Sequence, residues 1–242
     1  MGQYSVIDRS TPAGTSLSPE VYPDGYVAVI DKPHGWTSAD AVRKIKFGLQ
    51  KRYRLRNVKV GHAGTLDPLA TGVLVVCVGR ATKASEALQA ERKEYVAEVT
   101  FGATTPSFDC EHEPDAFYPF EHITRELIRE ALDGMEGEQM QLPPVYSAKY
   151  VDGVRAYERV RQGEQVELKA AKVHIYATEI ISYQAPVLRV RIECGKGTYI
   201  RSFARDLGTA LGSGAYLTGL ERTVSGGFRV ENALSIQDFE TL

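Results

Sequence analysis

The residue pattern predicts an α+β fold with a mixed, mostly antiparallel central sheet flanked by helices. Alternation with period two recurs in separate stretches: Tyr95, Ala97, Val99 and Phe101, and later Leu188, Val190, Ile192 and Cys194. That period marks half-buried strands. Helical spacing appears in other blocks, and the two kinds of block come in uneven clusters. A doubly wound sheet would need regular βαβ alternation, which is not found.

In chain order, residues 1–25 are polar and carry Pro12, Gly14, Pro19, Pro23 and Gly25, which predicts a flexible N-terminal extension ahead of a domain over 26–242. YVAVID (26–31) reads as a strand. Thr37 or Ser38 can cap a helix whose apolar face is Ala41, Val42, Ile45 and Leu49. VLVVCV (73–78) is a continuous apolar run suited to a buried strand, and a short helix is expected over 82–90. The strand at 94–101 leads into a long, loop-like segment at 104–120. Long loops in compact domains tend to be functional. Leu127, Ile128, Ala131 and Leu132 give 124–132 helical spacing. After the strand at 188–194, GKG turns the chain into a helix with the stripe Ile200, Phe203, Ala204, Leu207 and Leu211.

The 242 residues suffice to bury a sizeable core, and 43% hydrophobic with 25% charged content is that of a soluble globular chain. The longest apolar run, 73–78, falls far short of the roughly 20 residues that span a bilayer. No signal-peptide stretch opens the sequence, and Val6 spoils a myristoylation motif, so a cytoplasmic protein is expected. Cys77, Cys110 and Cys194 are far apart and read as reduced thiols. Net charge is only −2, yet from Ala41 to Leu66 there is no acid, while Arg43, Lys44, Lys46, Lys51, Arg52, Arg54, Arg56 and Lys59 all fall there. An acidic counterpart lies at Asp109, Glu111, Glu113 and Asp115, so the charge is polarised.

That basic stretch leads into GHAGTLDPLATG (61–72). Its glycines open backbone conformations closed to other residues, and Pro68 fixes the chain after the acid. The expected product is a rigid, narrow loop presenting Asp67. Residue chemistry alone leaves two roles open for Asp67, a turn cap or a reactive carboxylate, and two for His62, a turn residue or a functional one. GKGTY (195–199) fails as a phosphate loop: Val190 stands where the first glycine should, and Gly197 follows the lysine. Asp109, Glu111, His112 and Glu113 lack a defined cation geometry, and no metal site is expected.

The stretch GHAGTLDPLATGVLVVCVGRATK (61–83) resembles the catalytic signature of TruB-type tRNA pseudouridine synthases. VIDKPHGWTSADAVRKIK upstream resembles that family's opening strand, turn and helix. Downstream, KEYVAEVTFGATT, LPPVYSA, DGVRAYERVRQG, CGKGTYIRSFARDLG and GAYLTGLERT follow in the family's order, over about residues 26–235 in all. Three details depart from the pattern: Thr105, Pro106 and Ser107 replace a Thr-Asp-Thr, Lys149 and Tyr150 replace an apolar-lysine pair, and the sequence stops at Leu242, short of the C-terminal RNA-binding domain of many relatives.

The resemblance implies a cofactor-independent isomerase that converts a flipped uridine of the TΨC loop (tRNA position 55) to pseudouridine. It implies Asp67 as the essential carboxylate, Arg201 as its cationic partner, and Tyr95 as the tyrosine that stacks on the base and helps remove the C5 proton. Tyr199 and Leu220 are implied to line the uracil pocket, Lys83 to lie near the active site, and His62 to fill the gap left by the flipped base. The basic stretch becomes a phosphate-contacting surface, and an RNA-gripping insertion is expected within 104–150. The implied partner is the tRNA T-arm, bound by a monomer without a guide RNA or a membrane. The rivals are a guide-RNA-dependent relative and a catalytically silent tRNA-binding protein.

Overall fold

The computed structural model describes residues 4–147, 150–151, 154–155, 159, 166 and 168–242. At its centre of burial are two neighbouring strands, β2 (Tyr26–Lys32) and β4 (Thr71–Val78), paired antiparallel from Tyr26↔Val78 to Lys32↔Gly72. Their alternate side chains feed two apolar clusters. Ala28, Ile30, Leu74 and Val76 enter one, while Val27, Val29, Val73, Val75 and Cys77 enter the other. Both faces of these strands are covered, so the apolar run at 73–78 is continuous rather than alternating.

The chain divides into two units, Met1–Tyr95 with Leu220–Leu242, and Val96–Gly219. In the first, β1 (Ser5–Ile7) runs parallel to β2, and β3 (Val60–His62) pairs antiparallel with the far part of β4. Helix α1 (Ser38–Tyr53) lays Ala41, Ile45 and Leu49 on the first cluster. Thr37 caps it: its hydroxyl accepts from the Asp40 amide at 3.0 Å, and its own amide donates to the Asp40 carboxylate at 3.1 Å. This reciprocal box satisfies two amides that the first turn would otherwise leave without partners. A 3-10 turn (Gly79–Ala84) and α2 (Ser85–Ala90) occupy the stretch where one short helix is expected.

The second unit holds most of β5 (Lys93–Phe101), whose strict buried/half-buried alternation matches its sequence period. β12 (Val187–Cys194), β11 (Ala171–Gln184) and β8 (Gly137–Gln141) form an antiparallel ladder there, and the two-residue strands β9 (Tyr150–Val151) and β10 (Val154–Arg155) pair with each other. Helix α3 (Arg125–Met135) buries Ile128 and Leu132, and its Arg129 donates to the Thr178 carbonyl on β11 at 3.0 Å. Helix α4 (Ile200–Ala210) follows the GKG turn and buries Phe203, Ala204 and Leu207. In the first unit α5 (Ile236–Thr241) adds Ile236 and Phe239 to the cluster under α1. The fold is thus mixed α+β, with strands paired mostly antiparallel.

Two expectations change. Residues 4–25 are not a loose extension: β1 is hydrogen-bonded to β2, and Ile7 and Leu17 are 1% and 4% exposed within the cluster under α1. A segment poor in apolar residues still folds when the few it has are buried by distant partners. The interval 104–150, within which an RNA-gripping insertion is expected, is likewise more regular than a single loop. The part before α3 is loop-like, pinned by a short hairpin of β6 (Ala103–Thr104) with β7 (Ala116–Phe117), and residues 142–147 after β8 are again irregular. Within the same interval α3 and β8 are integral to the unit. Residue 149, part of the expected departure from the family pattern, lies outside the described residues.

Candidate active site

The loop joining β3 to β4 carries Asp67 and is held at three places by buried polar side chains. Ser38, at the start of α1, donates its hydroxyl to the Leu66 carbonyl at 3.0 Å and accepts from the Leu66 amide at 2.8 Å. Lys32, at the end of β2 and fully buried, donates its ammonium to the carbonyls of Trp36 at 2.6 Å, Pro33 at 2.9 Å and Pro68 at 3.3 Å. Arg222, on the strand β13 (Ala215–Ser225) and 1% exposed, donates to the carbonyls of Val73 at 2.7 Å, Gly64 at 3.1 Å and Thr65 at 3.4 Å.

Backbone geometry completes the loop. Gly64 and Gly72 have φ of +110° and +94°, where an L side chain is strained. At Gly72 a Cβ would stand 2.3 Å from the Arg222 carbonyl oxygen, because β4 and β13 pair in parallel at this residue. The Gly72 amide donates to the Asp31 carboxylate at 3.2 Å. Asp67 opens a tight turn, in which the Ala70 amide donates to its carbonyl at 3.1 Å, and the Gly35 amide donates to the Pro68 carbonyl at 2.9 Å. The turn is therefore fixed from both sides, and the Asp67 side chain is half-buried.

Two buried cations in one small region shape its field. Burial drives the Lys32 ammonium down to about 8, opposed chiefly by the Asp67 carboxylate, while Arg222 adds to the lowering. A carboxylate on a rigid turn beside buried positive charge can serve as a nucleophile or a base without first having to be organised.

Of the other expected residues, His62 ends β3 opposite Val76 and is half-buried, four residues before the Leu66 anchor. Leu220 lies beside the start of β4, where its carbonyl accepts from the Thr71 hydroxyl at 3.4 Å. Tyr95 is 8% exposed on β5 in the same unit. Lys83 is placed elsewhere than expected. It lines a cavity at the Tyr26–Val78 end of β2 and β4, whereas the Asp67 turn adjoins their Lys32–Gly72 end, ~20 Å of strand away.

Arg201 and Tyr199 belong to the second unit. Arg201, 3% exposed in the first turn of α4, donates to the carbonyls of Tyr146 at 2.9 Å and Ser107 at 3.3 Å and lies 3.6 Å from the Asp109 carboxylate. Tyr199 precedes α4, its amide donating to the buried Gln141 side chain at 2.8 Å while that amide group donates back to its carbonyl at 3.1 Å. The acid at 109, read from sequence as part of an acidic cluster, is a buried partner of this arginine.

Residues 51–200 match the family described as TruB family pseudouridylate synthase (N terminal domain). The chain belongs to the TruB family. A protein of Phocaeicola vulgatus called tRNA pseudouridine synthase B is 52% identical over 218 residues, covering 90% of this chain and 93% of that one. A protein of the same name from Flavobacterium johnsoniae is 47% identical over 225 residues, covering 93% and 98%. Among solved structures, a Cbf5-Nop10-Gar1 complex matches at 28% identity and TM-score 0.68 over 97% of this chain. An H/ACA RNP bound to a substrate RNA containing 2′-deoxyuridine matches at 27% and 0.64 over 96%. The TruB-family chain spans only 62% and 60% of those two chains. His62, Asp67, Lys83, Tyr95 and Tyr199 fall inside the matched region, while Arg201 and Leu220 lie outside it.

Lys32 and Arg222 were not singled out from the sequence, and Ser38 only as a candidate helix cap. Their signal was nonetheless present: Lys32 follows the apolar run YVAVID (26–31), and Arg222 lies in the segment GAYLTGLERT (214–223). A charged residue in such a place must find buried acceptors.

Proposed function

We propose that this TruB-family protein isomerises a uridine of the tRNA TΨC loop (tRNA position 55) to pseudouridine, with Asp67 as the essential carboxylate. The coarser activity, pseudouridine formation in tRNA, follows from the relatives' shared name at about half identity over nearly the whole chain. The observation that carries the finer reading is the anchoring of the Asp67 turn by Ser38, Lys32 and Arg222, which pre-organises a carboxylate beside buried positive charge. Pre-organisation of this kind is where catalytic electrostatics gain most.

The reaction breaks the bond from the sugar C1′ to N1 of uracil, turns the base, and joins C1′ to C5. The C5 proton then leaves, and N1 gains one. The same atoms are reconnected, so the isomerisation itself needs no redox change and no group donor. Asp67 acts in the first step as nucleophile or base, with Arg201 as its counter-charge. Tyr95 stacks on the base and helps take the C5 proton, an acid-base role that supplies about 10² to 10⁴-fold. Tyr199 and Leu220 line the uracil, and His62 occupies the space the base has left. Extrusion of the base costs on the order of a few kcal/mol, which these contacts offset. The enzyme acts as a cytoplasmic monomer on the T-arm, without a guide RNA, and the loop-like part of 104–150 grips the RNA.

Tritium release from C5-labelled uridine in a tRNA transcript tests this, with a free T-arm hairpin as second substrate. Release from both, abolished by Asp67→Asn, is the expected result. Absence of release by the unmodified protein at micromolar concentration would falsify the enzyme reading and leave a silent RNA-binding protein. Release from neither RNA until a guide RNA is added would overturn the guide-independent reading.

A further inference from the structure

The ordered N-terminal segment builds a second concave site. A cavity of about 330 Å³ lies between residues 17–26, the end of α1 with the loop after it, and the 3-10 turn following β4. Its walls are apolar and aromatic, from Leu17, Tyr22, Leu49 and Val78, and Asn57 supplies an exposed amide at its mouth. Around that mouth stand three exposed cations, Lys59, Arg80 and Lys83. Arg80 is paired with Asp24 at 3.0 Å. Lys59 and Lys83 have no carboxylate within ion-pair reach among the described residues.

The segment that closes the cavity is held in place. The Leu17 amide donates to the Tyr53 hydroxyl at 2.7 Å, the Tyr22 amide to the Ser18 carbonyl at 3.0 Å, and the Gly25 amide to the Tyr22 carbonyl at 2.9 Å. Tyr22 is braced edge-on by Tyr26, with ring centroids 5.3 Å apart. The site is thus formed before anything binds, which removes an ordering cost.

We propose that this cavity takes one unstacked nucleotide of the bound tRNA, distinct from the uridine that reacts. The proposal rests on tRNA being the substrate. An apolar slot with one aromatic wall suits a nucleobase, the Asn57 amide can both donate to and accept from a base edge, and Lys59 and Lys83 supply the charge that a flanking phosphate requires. The volume is at the small end of ligand pockets, the right scale for a single base and not for a folded partner. The basic loop at 54–59 continues the field outward through Arg54 and Arg56. The site lies ~20 Å of strand from the Asp67 turn in the same unit, so one RNA can reach both. The N-terminal segment thereby gains a role: it closes the wall of an RNA contact.

Two variants read the base and the phosphate separately. Asn57→Trp fills the mouth from an exposed position, and Lys59→Ala removes one cation without touching the core. Kd for whole tRNA is measured over a range of salt, alongside tritium release by the unmodified protein. The expected result is a Kd about tenfold higher for Asn57→Trp, the scale of one lost base stack, and a salt slope flatter by about one for Lys59→Ala. Tritium release by the unmodified protein together with a wild-type Kd for Asn57→Trp overturns the nucleotide site and leaves the proposed reaction standing. If the unmodified protein neither binds tRNA nor releases tritium, both fall.

Discussion

Replacing Arg222 with methionine tests whether the Asp67 turn depends on a side chain about 150 residues away in sequence. Methionine keeps an unbranched chain in the same buried space but removes every donor. The carbonyls of Val73, Gly64 and Thr65, met at 2.7, 3.1 and 3.4 Å, then lose a partner. Each buried acceptor left unmade costs roughly 1–3 kcal/mol. Losing a buried cation recovers several kcal/mol of desolvation in the opposite direction. The net loss of stability should therefore be small, about 1–3 kcal/mol. Activity should fall much further, because a displacement of about 1 Å at a reacting group can cost on the order of 100-fold. Urea unfolding and single-turnover tritium release measure the two effects. Arg222→Lys should resemble the methionine variant, since lysine lacks the planar fork that reaches Val73 through Nε and the Gly64 bend through the two terminal nitrogens. A methionine variant with wild-type midpoint and wild-type rate would refute the anchoring role.

Three further outcomes are expected. Burial holds Lys32 at about 8, below an unfolded lysine near 10.4, so between those values the unfolded chain binds the extra proton and the stability contributed by this group rises with pH. The difference in urea stability between wild type and Lys32→Met should climb across roughly pH 8 to 10.4; a flat or falling difference would contradict the burial of a charged lysine. Gly72→Ala should cost more than about 3 kcal/mol or prevent soluble expression, because its Cβ meets backbone at 2.3 Å and φ is +94°. Ile7→Ala should cost about 2–4 kcal/mol in a thermal or urea melt; a loss below about 0.5 kcal/mol would return residues 4–25 to the status of a loose extension.

The local features of the chain were legible in its residues. Thr37 three positions before Asp40 spells a capping box, the alternation over 95–101 spells a half-buried strand, and the two-sided apolar run at 73–78 spells a buried one. The glycines and proline around Asp67 were also enough to mark a rigid turn, and the length of the motif match was enough to name a family. Each of these depends on neighbours within a few residues, where sequence spacing is spatial spacing.

What holds that turn was not legible, for the opposite reason. Ser38 and Leu66 are 28 positions apart, and Arg222 and Gly64 are 158 apart, so their hydrogen bonds exist only once β2, β4 and β13 are paired. The same holds for Ile7 and Leu17, two apolar residues in a polar segment that order it only because a cluster built from the rest of the unit receives them. Lys83 shows the converse: a position that follows the Asp67 turn in sequence lies at the other end of the strand in space, because eight residues of β4 intervene. The sequence by itself therefore determined the family, the local elements and the turn that carries Asp67. The tertiary structure decided which buried charges hold that turn still, since burial and long-range hydrogen bonding are properties of the packed chain and not of any window along it.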